Sequence, residues 1–388
     1  SVMRAEWSNA VEAAERTMKL AAAGSDRWLQ ATCGALFSAV FLGAPDVAAK
    51  AAAAIVGAND CALLLPGYGL AIYMSTLGLW YIDQLDHAAA LVNRAQDSAA
   101  KTPDLDPAFD MWLDCSRGLI QLMQGQLGSG LNLIVRSLAT AERLGSGVGR
   151  AVAASNLVVA LSATGHFRRT LAGARIAFEA ADSMGMRVMN DHVELCVAIA
   201  AVGGDASATE IAKARAPLHR LLDKRDTTVR TSAVRTTLAC LALDEGKWEQ
   251  AKGYAEVALQ EAQFASAQAD ALGVLALVEL CLERPHPALA HTERAFALMK
   301  TSGVPRTRSI LHLVRARAFH GLGKMREAES EIRVAREHVV ASAATLEDIE
   351  LREAYLRIAA HRSILRLAAQ WLGEGGAQVD ATPHPVYG

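Results

Sequence analysis

An excess charge of either sign is missing from this chain. Its 39 Lys and Arg nearly balance its 41 Asp and Glu, leaving a formal net charge of −2, so nothing draws it generally toward nucleic acid or anionic lipid. Paired cysteines are missing as well. The six, at 33, 61, 115, 196, 240 and 281, lie far apart with no C-x-x-C among them, which excludes a sequence-readable zinc site or a compact disulfide framework. Most sit in apolar helical stretches, where Cys serves as a small hydrophobe, and a reducing cytoplasm is the expected setting. Long apolar runs are scarce. Cys61 to Ile82 carries no charge, and about 20 such residues can span a bilayer, but Pro66, Gly67, Gly69 and Gly78 interrupt it, so it reads as a soluble buried helix and no membrane partner is expected. Arg4, Glu6, Glu12, Glu15, Arg16 and Lys19 break up any signal-peptide core. The chain opens on Ser1 and reads as a segment of a longer protein, with processing of a native chain as the alternative.

Signatures of catalysis are equally sparse. "GSGVGR" at 145 to 150 lacks the Lys-Ser/Thr ending of a phosphate-binding loop and reads as a turn. There is no H-E-x-x-H; His286 and His291 are five apart and do not share a helical face as a spacing of four would. No G-x-S-x-G elbow occurs. No cofactor or metal is expected.

What the chain does have is 388 residues, 52% of them hydrophobic, ample for a core and too many for one compact domain of ordinary size. β-branched runs are short, and Ala, Leu, Glu, Arg and Gln dominate, so the pattern is helical. "ALDEGKWEQAKGYAEVALQEA", 242 to 262, shows one helix ending at Gly246 and another starting at Trp248. The same break returns at Gly165 with Phe167, Gly323 with Met325, Gly125, Gly43, Asp83, Gly203 with Gly204, and beside Pro285. The turns fall near 43, 83, 125, 165, 204, 246, 284 and 323, a period of about 40 residues typical of helix–turn–helix arrays.

Small residues seven apart follow several turns: Ala88 and Ala95, Ala251 and Ala258, Ala288 and Ala295, Ala328 and Ala335. Another small residue stands seven before the turn at Gly118, Ala239, Ala276 and Ala316. Helices of a hairpin approach closely only where both side chains are small, and alanine allows this without glycine's helix penalty of about 1 kcal/mol. Trp248, Phe167 and Met325 are expected to wedge between neighbouring hairpins, and Pro217 to kink its helix. With these residues the chain resembles the tetratricopeptide repeat (TPR), and its long, degenerate repeats are similar to the MalT-type variety found in sensor regions of large bacterial signalling ATPases and serine/threonine kinases. The resemblance implies an all-α, right-handed α-solenoid of about eight long-helix repeats over residues 1–372: an opening helix at 4–21, repeats over 25–341 and a capping pair at 346–372. The Gly- and Pro-rich 373–388 reads as a disordered tail.

In such arrays the first helix of each hairpin lines an inner face. Counting back from the turns puts Phe37, Phe41, Tyr73, Met74, Trp80, Tyr81, Trp112 and Met123 there, an aromatic set in a chain of 5% aromatics. Farther on come Asn156, Arg317 and His320 among polar positions. Two readings stay open: an apolar slot for a peptide helix or hydrophobic ligand, or aromatics that pack the core. The Arg306, Arg308, Arg315, Arg317, Lys324 and Arg326 cluster is either a solvated face with local ion pairs or a docking patch for an acidic partner. The resemblance implies a non-catalytic module that binds a protein, peptide or small effector and signals to a module elsewhere in its parent chain. A freestanding adaptor, self-associating through its end repeats, and an all-helical enzyme are the alternatives. Direct nucleic-acid binding is not expected.

Overall fold

The computed structural model describes residues 6–57, 68–102, 105–223, 228–300, 308–373 and Val386, with the side chains of 41, 187, 188 and 228–230 outside the description. All regular structure among these residues is helical: α1 (Trp7–Leu20), α2 (Asp26–Leu42), α3 (Pro45–Val56), α4 (Tyr68–Tyr81), α5 (Leu85–Ala99), α6 (Pro107–Met123), α7 (Leu127–Arg143), α8 (Gly147–Ala163), α9 (Phe167–Ser183), α10 (Arg187–Ala201), α11 (Ala208–Asp223), α12 (Thr228–Asp244), α13 (Trp248–Glu261), α14 (Ala265–Cys281), α15 (Pro285–Met299), α16 (Arg308–Gly321), α17 (Met325–Ala344), α18 (Ile349–Arg357) and α19 (Ala359–Leu372). The fold is an α-solenoid of TPR-type hairpins. No described helix is long and apolar enough to cross a membrane; of the uncharged stretch, α4 covers only its second part, and 58–67 lie outside the described residues. Most of the expected tail, likewise, is outside them.

Every turn read from the sequence separates two helices. The chain reverses with one residue in the left-handed region, at Gly43, Gly125, Gly165, Gly203, Gly246 and Gly323, and at Asp83 and Glu283 where no glycine is present. At six of these turns the next backbone N–H closes onto the carbonyl five residues back, as in Ala44 to Ala39 (2.9 Å), Gln84 to Leu79 (2.8 Å), Lys247 to Ala242 (2.9 Å) and Arg284 to Glu279 (2.8 Å). That bond satisfies a carbonyl the helix end leaves open. The connections between hairpins at Gly145 and Gly185 use the same left-handed step. Starts are marked by Pro45, Pro107 and Pro285 in the first turn and by the Ser207–Glu210 capping box.

The small residues sit where the helices meet. All four alanine pairs are fully buried, as are Ala239, Ala276 and Ala316. α6 and α7 approach closely through glycine: a Cβ on Gly118 would stand 2.7 Å from Ile134 Cγ1 and 3.0 Å from the Gly130 carbonyl oxygen. Pro217 stands inside α11, which spans Ala208–Asp223. Phe167 is buried, Trp248 half-buried, and Met325 stands 44% exposed.

Contacts gather the described residues into two compact units: one of residues up to 160 with 172–193 and 228–229, the other of 161–171, 194–223 and 230 onward. In the first, α2 packs on α1, α3 and α4, and α6 on α4 and α7. In the second, α14 packs on α13, α15 and α16, and α17 on α16 and α19. Here the last helices also return to the unit's earliest turns. Arg169 donates to Asp348 (2.5 Å) and Glu350 (2.8 Å), and the Ala359 N–H to the Gly203 carbonyl (2.9 Å). Arg169 holds the Asp348 carboxyl below the usual carboxylate range, while the same Asp348 caps α18 through the Leu351 N–H.

His361, in the first turn of α19, donates its Nδ1–H to the Tyr355 carbonyl at 2.8 Å. Withdrawal from water holds its imidazole down to about 4. The folded chain thus declines a proton that the unfolded chain accepts near 6.5. This contribution to stability is fully present above pH 6.5 and is lost as pH falls toward 4. Between pH 7 and 4.5 the urea midpoint of the native chain should fall further than that of His361→Gln; parallel declines would show that His361 does not govern this window.

Candidate functional site

The inner-face residues divide between the units. In the first, α4, α6 and α8 bring Tyr73, Trp112 and Asn156 together. Tyr73 and Trp112 rings are 5.6 Å apart. The Asn156 side-chain N–H donates to the Tyr73 hydroxyl at 3.1 Å and to the Cys115 sulfur at 2.9 Å, and the Tyr73 hydroxyl lies 3.3 Å from the Asn156 Oδ1 that accepts from it. All three named residues are buried, at 5%, 8% and 4% exposure. They form an internal joint rather than an open wall. Its polar groups satisfy one another, as buried polar groups must.

This joint carries no poised chemistry. Burial pushes the Cys115 thiol up to about 12 and raises the Tyr73 hydroxyl well above its ordinary value, so both stay protonated and unreactive near neutrality. Nearby, Asp114 and Arg136 form a two-pronged ion pair between α6 and α7, which raises the Arg136 guanidinium further. Among the described residues no group of three or more His, Cys, Asp or Glu could hold a metal ion.

The other residues of the aromatic set are half-buried. Trp80 and Tyr81 stack at 4.9 Å at the end of α4. Met74 on α4 and Met123 at the end of α6 are each partly open. Phe37 meets Trp7 of α1 edge to face at 6.0 Å. The Phe41 side chain lies outside the described residues.

Arg317 and His320 belong to the second unit, on α16. The His320 ring lies flat on Trp371 of α19, centroids 4.6 Å apart and planes 4° apart. Arg317 Nη1 donates to the Val386 carbonyl at 2.6 Å, and Val386 is wholly buried. Burial lowers the Arg317 guanidinium, and the neighbouring Arg366 adds to this. Trp371, Arg366 and Val386 were not among the residues singled out from the sequence; the one signal was a Trp in the closing helix. The basic cluster does not form one face. Arg315 pairs with Glu331 (3.1 Å) and lies over Phe296 (5.0 Å), Lys324 caps Phe319 (5.9 Å), and Arg306 is outside the described residues.

No protein-family model matches the chain, and no characterised protein matches it in sequence. Solved structures do. A Rap protein complexed with Competence and Sporulation Factor aligns with a TM-score of 0.61 at 12% identity, covering 88% of this chain and 99% of that one. NprR in complex with its cognate peptide NprX aligns at 0.57 and 14%, covering 88% and 99%. The apo form of the quorum sensor NprR from B. thuringiensis aligns at 0.50 and 13%, covering 89% and 98%. At such identities the likeness concerns the fold, a helical-repeat array across almost the whole chain.

Proposed function

We propose that this chain is a non-catalytic recognition module that binds a protein or peptide partner. In this reading it is the cytoplasmic sensor or scaffold segment of a bacterial signal-transduction or transcription-regulatory protein of the MalT type. The observation that carries the reading is in the second unit: Arg317 grips a main-chain carbonyl beside a buried aliphatic residue. Main-chain hydrogen bonds with side-chain pockets for selectivity are one recurring way of recognising an extended peptide. One similar structure is of a chain in complex with its cognate peptide, which supports the same reading.

In the first unit, Trp80, Tyr81, Met74 and Met123 are members of the aromatic set open enough to meet a partner. Interface aromatics of this kind contribute about 2 kcal/mol or more when they anchor a contact. Peptides selected by display against the whole chain should therefore bind Trp80→Ala roughly 30-fold more weakly, with the circular dichroism spectrum unchanged. Undiminished binding to Trp80→Ala and to Tyr81→Ser would remove this face from the proposal. A chain that selects no peptide and instead sediments as a dimer would favour the adaptor reading.

A further inference from the structure

The basic residues near α16 do not all share one face, but three nitrogen-rich side chains do. Arg308, His312 and Arg315 stand four and three residues apart, on one stripe of the helix. His338 of α17 joins them, its ring 5.5 Å from that of His312. Phe296 of α15 lies against the same group, 4.7 Å from the His312 ring and 5.0 Å from the Arg315 guanidinium. All of these residues belong to the second unit.

One carboxylate answers this charge. Both oxygens of Glu331 are taken, one by His312 Nδ1 at 2.7 Å and the other by Arg315 Nη1 at 3.1 Å. The remaining nitrogens are unanswered. Arg308 Nε, Arg315 Nε and His338 Nδ1 are each buried with no hydrogen-bond partner, and among the described residues no carboxylate pairs with Arg308 or His338. Burial holds the His338 imidazole below its ordinary value, Arg308 and His312 push it further down, and Glu337 offsets them only in part.

Holding α16 to α17 accounts for Glu331, His312 and one arm of Arg315. It does not account for Arg308 or His338. Buried donors without acceptors are costly, so the component this cluster lacks is an acceptor. Arg308 alone offers five N–H donors in a planar fork, and a protonated imidazole donates from both nitrogens. A carboxylate brings two oxygens to such a set. A phosphate monoester brings three acceptor oxygens and up to two charges, and guanidinium forks match its geometry. Arg308 and His338 are half-buried rather than sealed, so a ligand group can reach them.

We propose that the Arg308, His312 and Arg315 stripe of α16, together with His338 of α17, is an anion site for a phosphate group, carried by a small effector or by a phosphorylated side chain. It goes beyond the peptide-recognition reading and does not depend on it.

The test uses the full chain in chloride at fixed ionic strength, with inorganic phosphate, O-phosphoserine and acetate as probes. Binding is read by calorimetry and by the imidazole signals of His312 and His338 in proton–carbon NMR spectra. Phosphate and phosphoserine should move both signals and raise the pH at which His338 takes up its proton. Acetate should bind about tenfold more weakly or less. Arg308→Gln and His338→Gln should each weaken phosphate binding roughly tenfold or more, the loss of one charge-assisted hydrogen bond. Arg308→Lys should retain only part of the affinity, because Lys keeps the charge but loses the planar fork. Arg333→Gln, at an exposed arginine of α17, should change nothing. If circular dichroism shows Arg308→Gln unfolded, Arg308→Lys carries the comparison. Tighter binding of phosphoserine than of phosphate assigns the site to a phosphorylated side chain, and equal or weaker binding assigns it to free phosphate or another small ester. No response to either phosphate probe, acetate bound as tightly as phosphate, or full phosphate affinity in the Arg308 variants overturns the proposal. None of these readouts involves a peptide partner, so the outcome here and the outcome for Trp80→Ala are decided separately.

Discussion

Trp112→Ala should unfold the first unit at a markedly lower urea concentration, with a loss of about 3–5 kcal/mol. The indole is buried against Tyr73, and the helix that carries it packs on α4 and α7. Removing it deletes a large apolar surface and leaves a cavity lined by neighbours that close-packed helices cannot easily collapse. The loss is a large part of the 5–15 kcal/mol that holds a typical domain together. Trp112→Phe, which keeps a ring beside Tyr73, should cost clearly less. The measurement is far-ultraviolet circular dichroism against urea. A variant that melted with the native chain, yet lost a bound peptide, would place Trp112 on an open wall and reverse its assignment to the core.

The same burial explains why the aromatic set was ambiguous in the sequence. A stripe of aromatics on a first helix has identical spacing whether it faces a slot or the next helix. Only the packing partner decides, and for Tyr73 that partner is Asn156, 83 residues away. Spacing carries no record of such a pairing. Trp80 and Tyr81 are more open than Tyr73 and Trp112, so one periodic signal covers both core and candidate surface.

The hairpins, by contrast, were legible almost residue by residue, because their cause is local. A helix that must reverse needs one residue with positive φ, and glycine takes it without steric cost. Six of the eight turns use glycine. Asp83 and Glu283 take the same conformation; the period marks Asp83, and Pro285 marks the turn but not Glu283 within it. The buried alanines were legible for a similar reason, since a close approach must be written in small residues at fixed offsets. The return of α18 and α19 was not. Arg169 with Asp348, 179 residues apart, is a pair of ordinary charged residues with no period linking them. Val386 is one of two valines in a Gly- and Pro-rich stretch, and nothing local distinguishes it from a residue in water.

Gly204→Ala should be the most damaging single methyl in the second unit. A Cβ at Gly204 would stand 2.4 Å from the Ala200 carbonyl oxygen and 2.7 Å from the Gly165 carbonyl oxygen. Both obstacles are backbone, so no rotamer change relieves them. Inserting a methyl into such a space costs about 1–3 kcal/mol and sometimes more. The site is also where three segments converge: the Gly165 turn, on which Ile358 sits; the Gly203 turn, whose carbonyl accepts from Ala359; and the break between α18 and α19. Pushing Gly204 away from Gly165 strains all three together. Gly323→Ala is the control. Gly323 has a left-handed backbone with nothing within 4 Å of a Cβ, so it should lose only about 1–2 kcal/mol for the strained φ. Urea midpoints should therefore rank native, Gly323→Ala, Gly204→Ala. The Gly204 variant should also show faster amide exchange at Ala359, whose bond to Gly203 loosens. If Gly204→Ala proved as stable as the native chain, the two turns could not lie against each other, and the return of the last helices onto them would be wrong.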